Sequence, residues 1–452
     1  MIKGKGNASN NLYPGHPRKY FNYLPTPKSF RLYYLLFLIY LVILCLLLQR
    51  ASFIKKAGIT GRMIFLLFLL KVFAGIVLGW LSLHYYSAGS DYWDLNRAGW
   101  EEYQLMRTNP HEYLTNIFRT SYSNEYGGLF DSFQSFWNDL KNNLVIKLLS
   151  VFNIFSQGNY YINSMYFNYL IFFGHVALYR VFIKIYPGQT NSVIAGCFLL
   201  PSLLYFSSGI HRDGVVFLVL SMLVYTLFFS LQEKRITPKQ LVIIFLSIFL
   251  LFVMRIYLVF LLIPGLLAWI VTVKMKWLAK RTFPLVYLFA FLFFFQVHNF
   301  LHTLDPLQAM VQKQRDYFNL PHSVTGISVD SLYPSFKSFL KNAPQAMNHV
   351  LLRPYLPELP SPILLPLNFE LFLYQLLFLI LFFFRNKNLP GNRDPLICFG
   401  IFFTLTVFLF IGYIVPNLGT LVRYRSIYLP FIITPLLCNV DFRKLSRFKI
   451  LN

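Results

Sequence analysis

Long apolar runs separated by short basic loops restrict the fold of this chain more than any other feature of its sequence. The first two, 32–48 and 63–83, approach the length of about 20 residues with which a helix crosses a bilayer. Helical segments satisfy their own backbone hydrogen bonds, as lipid requires. The pattern therefore predicts an all-α polytopic membrane protein. Eleven runs are predicted to span: 32–48, 63–83, 161–183, 192–206, 215–231, 241–253, 256–273, 283–300, 367–384, 396–415 and 427–438.

The loops between these runs differ in length and charge. Short loops such as 50–62 and 232–239 are basic, which places them in the cytoplasm by the positive-inside rule. Two longer polar loops, 84–143 and 301–366, are then expected outside. The first is followed by a helix at 144–155 that is too short to span and is predicted to lie in the membrane interface.

Composition places the whole body of the chain in the membrane. Of its 452 residues 56% are hydrophobic and 13% are charged, so 32–452 is expected to be one transmembrane domain after a basic polar tail, 1–31. The formal charge of +24 reflects cytoplasmic loops rather than nucleic-acid binding. The tail itself conflicts with this orientation, because it is basic yet counted outside. Either the first apolar run does not fully cross the membrane, or the later loops determine the orientation of the chain.

Several function classes lack their sequence signals. The four cysteines lie in or beside apolar runs without a CxxC motif or a histidine cluster, so we expect no disulfide framework and no metal site. The sequence contains no P-loop, HExxH, GxSxG or dinucleotide motif. Chemistry driven by ATP or a soluble nucleotide is therefore not expected, and no cofactor is predicted.

The segment 201–214, PSLLYFSSGIHRDG, interrupts the apolar pattern with three polar side chains. His211, Arg212 and Asp213 lie where the chain turns back into the membrane, and charges are costly there unless they face protein or water. They are candidate substrate-binding residues. In the alternative, Arg212 and Asp213 only pair with each other and cap a helix at the headgroup level.

Three further arginines are predicted on the same side of the membrane. Arg255 lies between two short apolar runs, at the tip of a tight hairpin or broken helix, and needs an anion or a wet cavity. Its alternative role is a structural pair with an acid such as Asp213. Arg423 and Arg425 follow the last outer turn, and their spacing directs them to different faces. Guanidinium groups here could bind a phosphate.

Asp91 and Asp94 follow the second predicted span and are the candidate catalytic residues. A carboxylate at the lipid boundary can act as general base toward a hydroxyl, and Asp91 in GSDYWD is the stronger candidate. In the alternative, Asp91 caps a helix and Asp94 forms a solvated pair with Arg97 at helical spacing.

These elements together resemble a family. The segment SAGSDYWDLNRAGW, the P-S-x-x-x-x-S-S-G-x-x-K/R-D/E pattern of 201–213 and the N-x-G-T-x-x-R-Y-R element of 417–425 are similar to bacterial polytopic enzymes of envelope-polysaccharide assembly. Within that group the chain most resembles GT-C class glycosyltransferases, which use polyprenyl-phosphate sugars. Polymerases of the O-antigen or exopolysaccharide type come next. The acidic residue of the GT-C first outer loop, the catalytic one, would correspond to Asp91 or Asp94.

The resemblance implies a multi-pass protein of the cell inner (plasma) membrane. Its expected partners are a polyprenyl-linked sugar donor, a glycan or lipid acceptor and membrane lipids, with no nucleic acid. The implied reaction is direct displacement of polyprenyl phosphate by an acceptor hydroxyl, with inversion at the sugar. A polymerase of lipid-linked repeat units and a transporter or flippase of lipid-linked saccharides remain as alternatives.

Overall fold

The structure, a computed structural model, describes residues 27–85, 91–120, 135–300, 305–320, 325–355, 358, 365–386, 394–441 and 444. The tail 1–31 lies almost entirely outside the described residues, as do parts of both long loops and of the short loop 385–394, which the sequence places in the cytoplasm. The α-helices of the described chain are α1 (Pro27–Arg50), α2 (Ser52–Lys55), α3 (Gly61–His84), α4 (Asp91–Thr108), α5 (Pro110–Thr115), α6 (Phe136–Ser156), α7 (Tyr160–Ile185), α8 (Thr190–Phe198), α9 (Pro201–Phe206), α10 (Arg212–Glu233), α11 (Pro238–Met254), α12 (Ile256–Met275), α13 (Ala279–Phe300), α14 (Pro306–Phe318), α15 (Phe336–Leu352), α16 (Leu365–Phe383), α17 (Pro395–Ile414), α18 (Leu418–Ser426) and α19 (Pro430–Asn439).

This architecture confirms an all-α polytopic membrane protein but corrects the number of regular spans. Eight helices in the described chain are long and apolar enough to cross a membrane: α1, α3, α7, α10, α12, α13, α16 and α17. A ninth span results if α18 and α19, bent by 64° at their junction, are counted as one. The predicted span 192–206 is instead broken into α8 and α9, and 241–253 is the shorter helix α11.

The break between α8 and α9 follows from how α7 and α10 pack. These two helices run parallel, because Ile171 lies against Gly214 and Gly174 lies against Leu218. The end of α7 and the start of α10 are therefore at opposite ends of the bundle, and α8 and α9 carry the chain back between them. Pro201 begins α9, since its ring fits the first turn of a helix but not its interior.

The end of the bundle at which α3 finishes and α10 and α12 begin is called the upper end here. It is covered by α4 and α6, whose packing brings Gly99 against Leu149. The helix predicted at 144–155 is the second half of the longer α6, which begins at the Ser135 N-cap. Lys147 of α6 pairs with Glu102 of α4 at 2.5 Å, which ties this layer together.

The second polar loop supplies α14 and α15 to the same end. Helix α15 packs against the last turns of α17, where a Cβ on Gly412 would lie 2.1 Å from the Ala346 carbonyl oxygen. Only a glycine permits so close an approach of two backbones. The upper end thus gathers elements from both long loops around the beginnings of α10, α12 and α18.

Candidate functional site

The carboxylate of Asp213, 1% exposed, is the centre of a charge cluster at the upper end. It lies in the first turn of α10, two residues after His211, whose Nδ1 accepts a hydrogen bond from the Asp213 amide at 3.1 Å. Histidine thus acts as the N-cap that starts this helix. Burial lowers the pKa of His211 below its usual value, so the ring is neutral near pH 7 and adds no charge.

Two arginines from distant parts of the chain converge on this carboxylate. Arg255 donates to Asp213 Oδ1, and Arg423 Nε lies 3.4 Å from Asp213 Oδ2. Arg255 is the single residue between α11 and α12, with φ −153° and ψ 83°, so it lies at the junction that the sequence predicts for a tight hairpin or broken helix. We call His211, Asp213, Arg255 and Arg423 the Asp213 cluster.

Tyrosine rings surround the two guanidinium groups. The Arg255 guanidinium stacks 4.0 Å above the centre of the Tyr424 ring and donates to the Tyr257 hydroxyl. Tyr424 also lies 5.1 Å from the Arg423 guanidinium carbon, and its hydroxyl is 3.1 Å from that of Tyr317. Cation–π contacts and hydrogen bonds of this kind hold a guanidinium group in one orientation.

Arg212 and Asp91 form the solvent-facing rim of the cluster. The Arg212 guanidinium lies 3.9 Å from Asp91 Oδ2 and donates to Asn142 Oδ1 at 2.6 Å. Asp91 is the first residue of α4, and its side chain is 59% exposed. The ring of the neighbouring Tyr92 lies 5.0 Å from the His211 ring. Asp91 is thus an accessible carboxylate beside the buried cluster.

Positive charge exceeds negative charge in this region. The cluster and its rim contain two carboxylates, Asp91 and Asp213, and three arginines, and Lys141 of α6 interacts electrostatically with Arg212, Arg255 and Asp213. Burial, followed by repulsion from Arg212 and Arg255, lowers the pKa of Lys141 to about 7. Cations that lower the pKa of a neighbouring lysine create a positive potential, and a positive potential favours the binding of an anion.

Two predicted site residues do not join the cluster. Asp94 pairs with Arg97 at 2.9 Å, one turn along α4. Arg425 points away from Arg423, and its guanidinium donates to the carbonyls of Val350 and Arg353 at 2.7 Å each. The spacing of the two arginines on α18 therefore divides their roles, with Arg423 at the cluster and Arg425 holding the end of α15.

A buried lysine supports the turn that carries the cluster. Lys71, 1% exposed in the middle of α3, donates to the carbonyl and hydroxyl of Ser207 at 3.1 and 2.8 Å and to the Ser208 hydroxyl at 3.3 Å. Asn168 of α7 accepts from the amide of Gly209, whose φ is +76°. The turn before His211 is thus fixed from two spanning helices.

Sequence reasoning missed Lys141, Asn142, Lys71 and the tyrosines. Lys71 is a lone cation inside the run 63–83, and a charge within a span is by default a functional or structural signal. Lys141 and Asn142 carry no comparable signal, since they lie in a polar segment. Among the described residues no group of three His, Cys, Asp or Glu side chains is close enough to hold a metal ion.

Comparison with known proteins adds no relative. No protein-family model, no curated protein and no solved structure matches this chain. The site therefore has to be interpreted from its own geometry.

Proposed function

We propose that this protein is a membrane glycosyltransferase that moves a sugar from a polyprenyl-phosphate donor to a cell-envelope glycan or lipid acceptor. The reaction would occur at the upper end, on the outer face of the cell inner membrane. One observation carries the proposal: three buried or half-buried arginines surround two carboxylates, Asp213 and Asp91, at the upper ends of the spanning helices. A phosphate carried by a lipid is an anion that reaches this depth.

Helix beginnings add to the positive potential of the site. Helices α10 and α12 both start at the cluster, with Arg212 as the first residue of α10 and Arg255 as the residue before α12. The amino end of a helix carries a partial positive charge of roughly half an elementary charge. Unpaired backbone N–H groups there are ready donors to a phosphate.

The residues divide into roles that fit a direct displacement. Arg423, Arg212 and Lys141 bind the phosphate and stabilise the charge that develops on it as the bond to the sugar breaks. Arg255 is held by Asp213 and positions that carboxylate rather than the donor. Asp91 accepts the proton of the acceptor hydroxyl, the hydroxyl oxygen bonds to the anomeric carbon, and polyprenyl phosphate leaves with its electron pair.

A transporter or flippase of lipid-linked saccharides is the second candidate. The bent pair α18–α19 carries Arg423 of the cluster, and discontinuous helices beside charged groups are typical of transporter binding sites. This reading needs the cations but no base. A polysaccharide polymerase would likewise depend more on the arginines than on Asp91.

The comparison of Asp91→Asn with Asp94→Asn tests the proposal. Asp91→Asn keeps the size of the side chain but cannot take a proton, so turnover is expected to fall about 100- to 10,000-fold while donor affinity is retained. Asp94→Asn weakens the i,i+3 pair with Arg97, which lies apart from the cluster, and should stay near wild type. Full turnover of Asp91→Asn would exclude Asp91 as base, and equal losses in both variants would indicate a defect in the folding of α4.

A further inference from the structure

A cavity opens at the beginning of α18, the helix that carries Arg423 of the Asp213 cluster. Its volume is about 280 Å³, and it is lined by Thr325, Gly326, Ile327, Ser328, Arg353, Glu358 and Leu418. This α18 cavity is close to the lower limit of small-ligand pockets, roughly 300–1,000 Å³.

Backbone pairing between two loops builds one wall of this cavity. The Ile327 amide donates to the Pro416 carbonyl, and the Leu418 amide donates to the Thr325 carbonyl, each at 2.9 Å. The Thr325 hydroxyl also donates to the Asn417 side chain, which caps α18. The wall is therefore held in place before any ligand binds.

The polar groups of the cavity carry no surplus charge. Arg353 and Glu358 pair at 3.3 Å between Nε and Oε1, so their charges cancel. The side chains of this pair are 17% and 27% exposed, so part of each stays accessible to a ligand. Together with the Ser328 hydroxyl, this lining suits a neutral ligand rich in hydroxyl groups and not a second phosphate.

The distance between this cavity and the Asp213 cluster is short. Leu418 lines the cavity and Arg423 reaches Asp213, and both belong to the single helix α18. Five residues of helix rise about 7.5 Å. A hydroxyl-bearing ligand in the cavity could therefore place one end next to a sugar whose phosphate lies against Arg423.

We propose that the α18 cavity binds the neutral saccharide end of the acceptor. The inference rests on the proposed function, because it assigns the cavity to the second substrate of that reaction. Hydroxyl groups of the acceptor would bind to Arg353, Glu358 and Ser328, while the donor phosphate stays with the cationic cluster.

Saturation-transfer NMR on the purified full chain in lipid nanodiscs tests this assignment. The probes are a panel of free neutral hexoses and N-acetylhexosamines, and polyprenyl phosphate binding is measured separately on the same samples. Ser328→Trp narrows the cavity, and Ser331→Trp places the same ring on a nearby exposed position that does not line it. Glu358→Gln removes one acceptor charge without adding bulk.

A supporting result has two parts. At least one saccharide gives a signal with the wild type and with Ser331→Trp, and that signal falls at least fivefold in Ser328→Trp and in Glu358→Gln, while polyprenyl phosphate binds all four proteins equally. An equal signal in all four proteins, or no signal with the wild type, would overturn the cavity assignment. If the wild type binds saccharide but no polyprenyl phosphate, the cavity assignment stands as a binding site and the proposed function fails.

Discussion

At the scale of single residues, Asp213 has a structural role that its sequence context only partly indicates. The alternative role considered for Arg255, a pair with Asp213, is the contact that forms, but the same carboxylate also holds Arg423. Removing one member of a buried charge pair leaves the other uncompensated, at a cost of about 3–5 kcal/mol. Asp213 therefore organises the arginines, and the accessible Asp91 is left as the base.

Substitution of Arg255 tests this division of roles. Arg255→Lys keeps the charge but loses the fork that joins Asp213 to Tyr257, so turnover is expected to fall roughly 10- to 100-fold in a folded protein. The matched control is Arg180→Lys. Arg180 lies near the end of α7, far from the Asp213 cluster, and its guanidinium stacks 4.8 Å from the Phe53 ring centre. Wild-type turnover in Arg255→Lys would show that its orientation is irrelevant to activity.

Lys141 predicts a pH dependence of donor binding. Its pKa of about 7 lies below the usual value for lysine, so the amine loses its proton as the pH rises from 6 to 8. Affinity for a polyprenyl-phosphate sugar, whose phosphodiester charge is constant over this range, should therefore fall with rising pH. Lys141→Met should bind more weakly at pH 6 and show a flatter profile, and an unchanged profile would remove Lys141 from the donor site.

The lowered pKa of Lys141 makes the free energy of unfolding rise with pH, whereas donor affinity falls with pH. Between about pH 7 and 10.5 the unfolded chain binds more protons at Lys141 than the folded protein does. Burial of Lys141 therefore costs stability below pH 7, and this cost is relieved as the pH rises through that interval. Titration of Lys141 therefore does not weaken folding above pH 7, and a loss of donor affinity there would come from the loss of charge at the site.

At the scale of elements, helix α3 supports the site through close packing with the turn at 207–209. A Cβ on Gly75 would lie 2.4 Å from Asn168 Nδ2 and 3.2 Å from the Gly209 amide nitrogen. Lys71, one turn earlier on α3, holds the adjacent serines. Neither role can be deduced from hydropathy, because the partners are about 90 to 140 residues away in sequence.

Gly75→Ala and Gly61→Ala on this one helix test that support. The added methyl group at Gly75 should destabilise the protein by about 1–3 kcal/mol, since it forces apart two packed elements. Gly61 has open space within 4 Å, so its substitution should be neutral or slightly stabilising. A thiol-reactive dye measures unfolding directly because all four cysteines are buried. Equal melting temperatures in both variants would contradict the packing described for α3.

Elements also show where sequence patterns fail. The break in the helix at Arg255 is predictable, because two short apolar runs meet at a charged residue. The break at Pro201 is less so, since 192–206 is continuous enough to suggest one helix, and it arises from the parallel packing of α7 and α10. Hydropathy records which residues avoid water but not which helices are neighbours.

At the scale of the whole molecule, apolar runs predict the class of fold well and the composition of the site in part. Loop counting alone predicts one side of the membrane for a set of charged residues that the structure brings together: Asp91, His211, Arg212, Asp213, Arg255 and Arg423. Asp94 and Arg425 lie outside this group for a local reason, the direction of a side chain on its helix. Lys141 depends on how α6 lies over the bundle, which only tertiary packing determines.

Release of polyprenyl phosphate is the measurement that tests the central claim most directly. Purified protein in nanodiscs is given a polyprenyl-phosphate sugar and a lipid-linked glycan acceptor, with no nucleotide present. We expect wild type to release polyprenyl phosphate in step with glycosylated acceptor, and Asp91→Asn to release about 100-fold less or lower still. An intact donor after incubation with wild-type protein that binds it would contradict the transferase, and movement of that donor across vesicles without cleavage would identify a transporter.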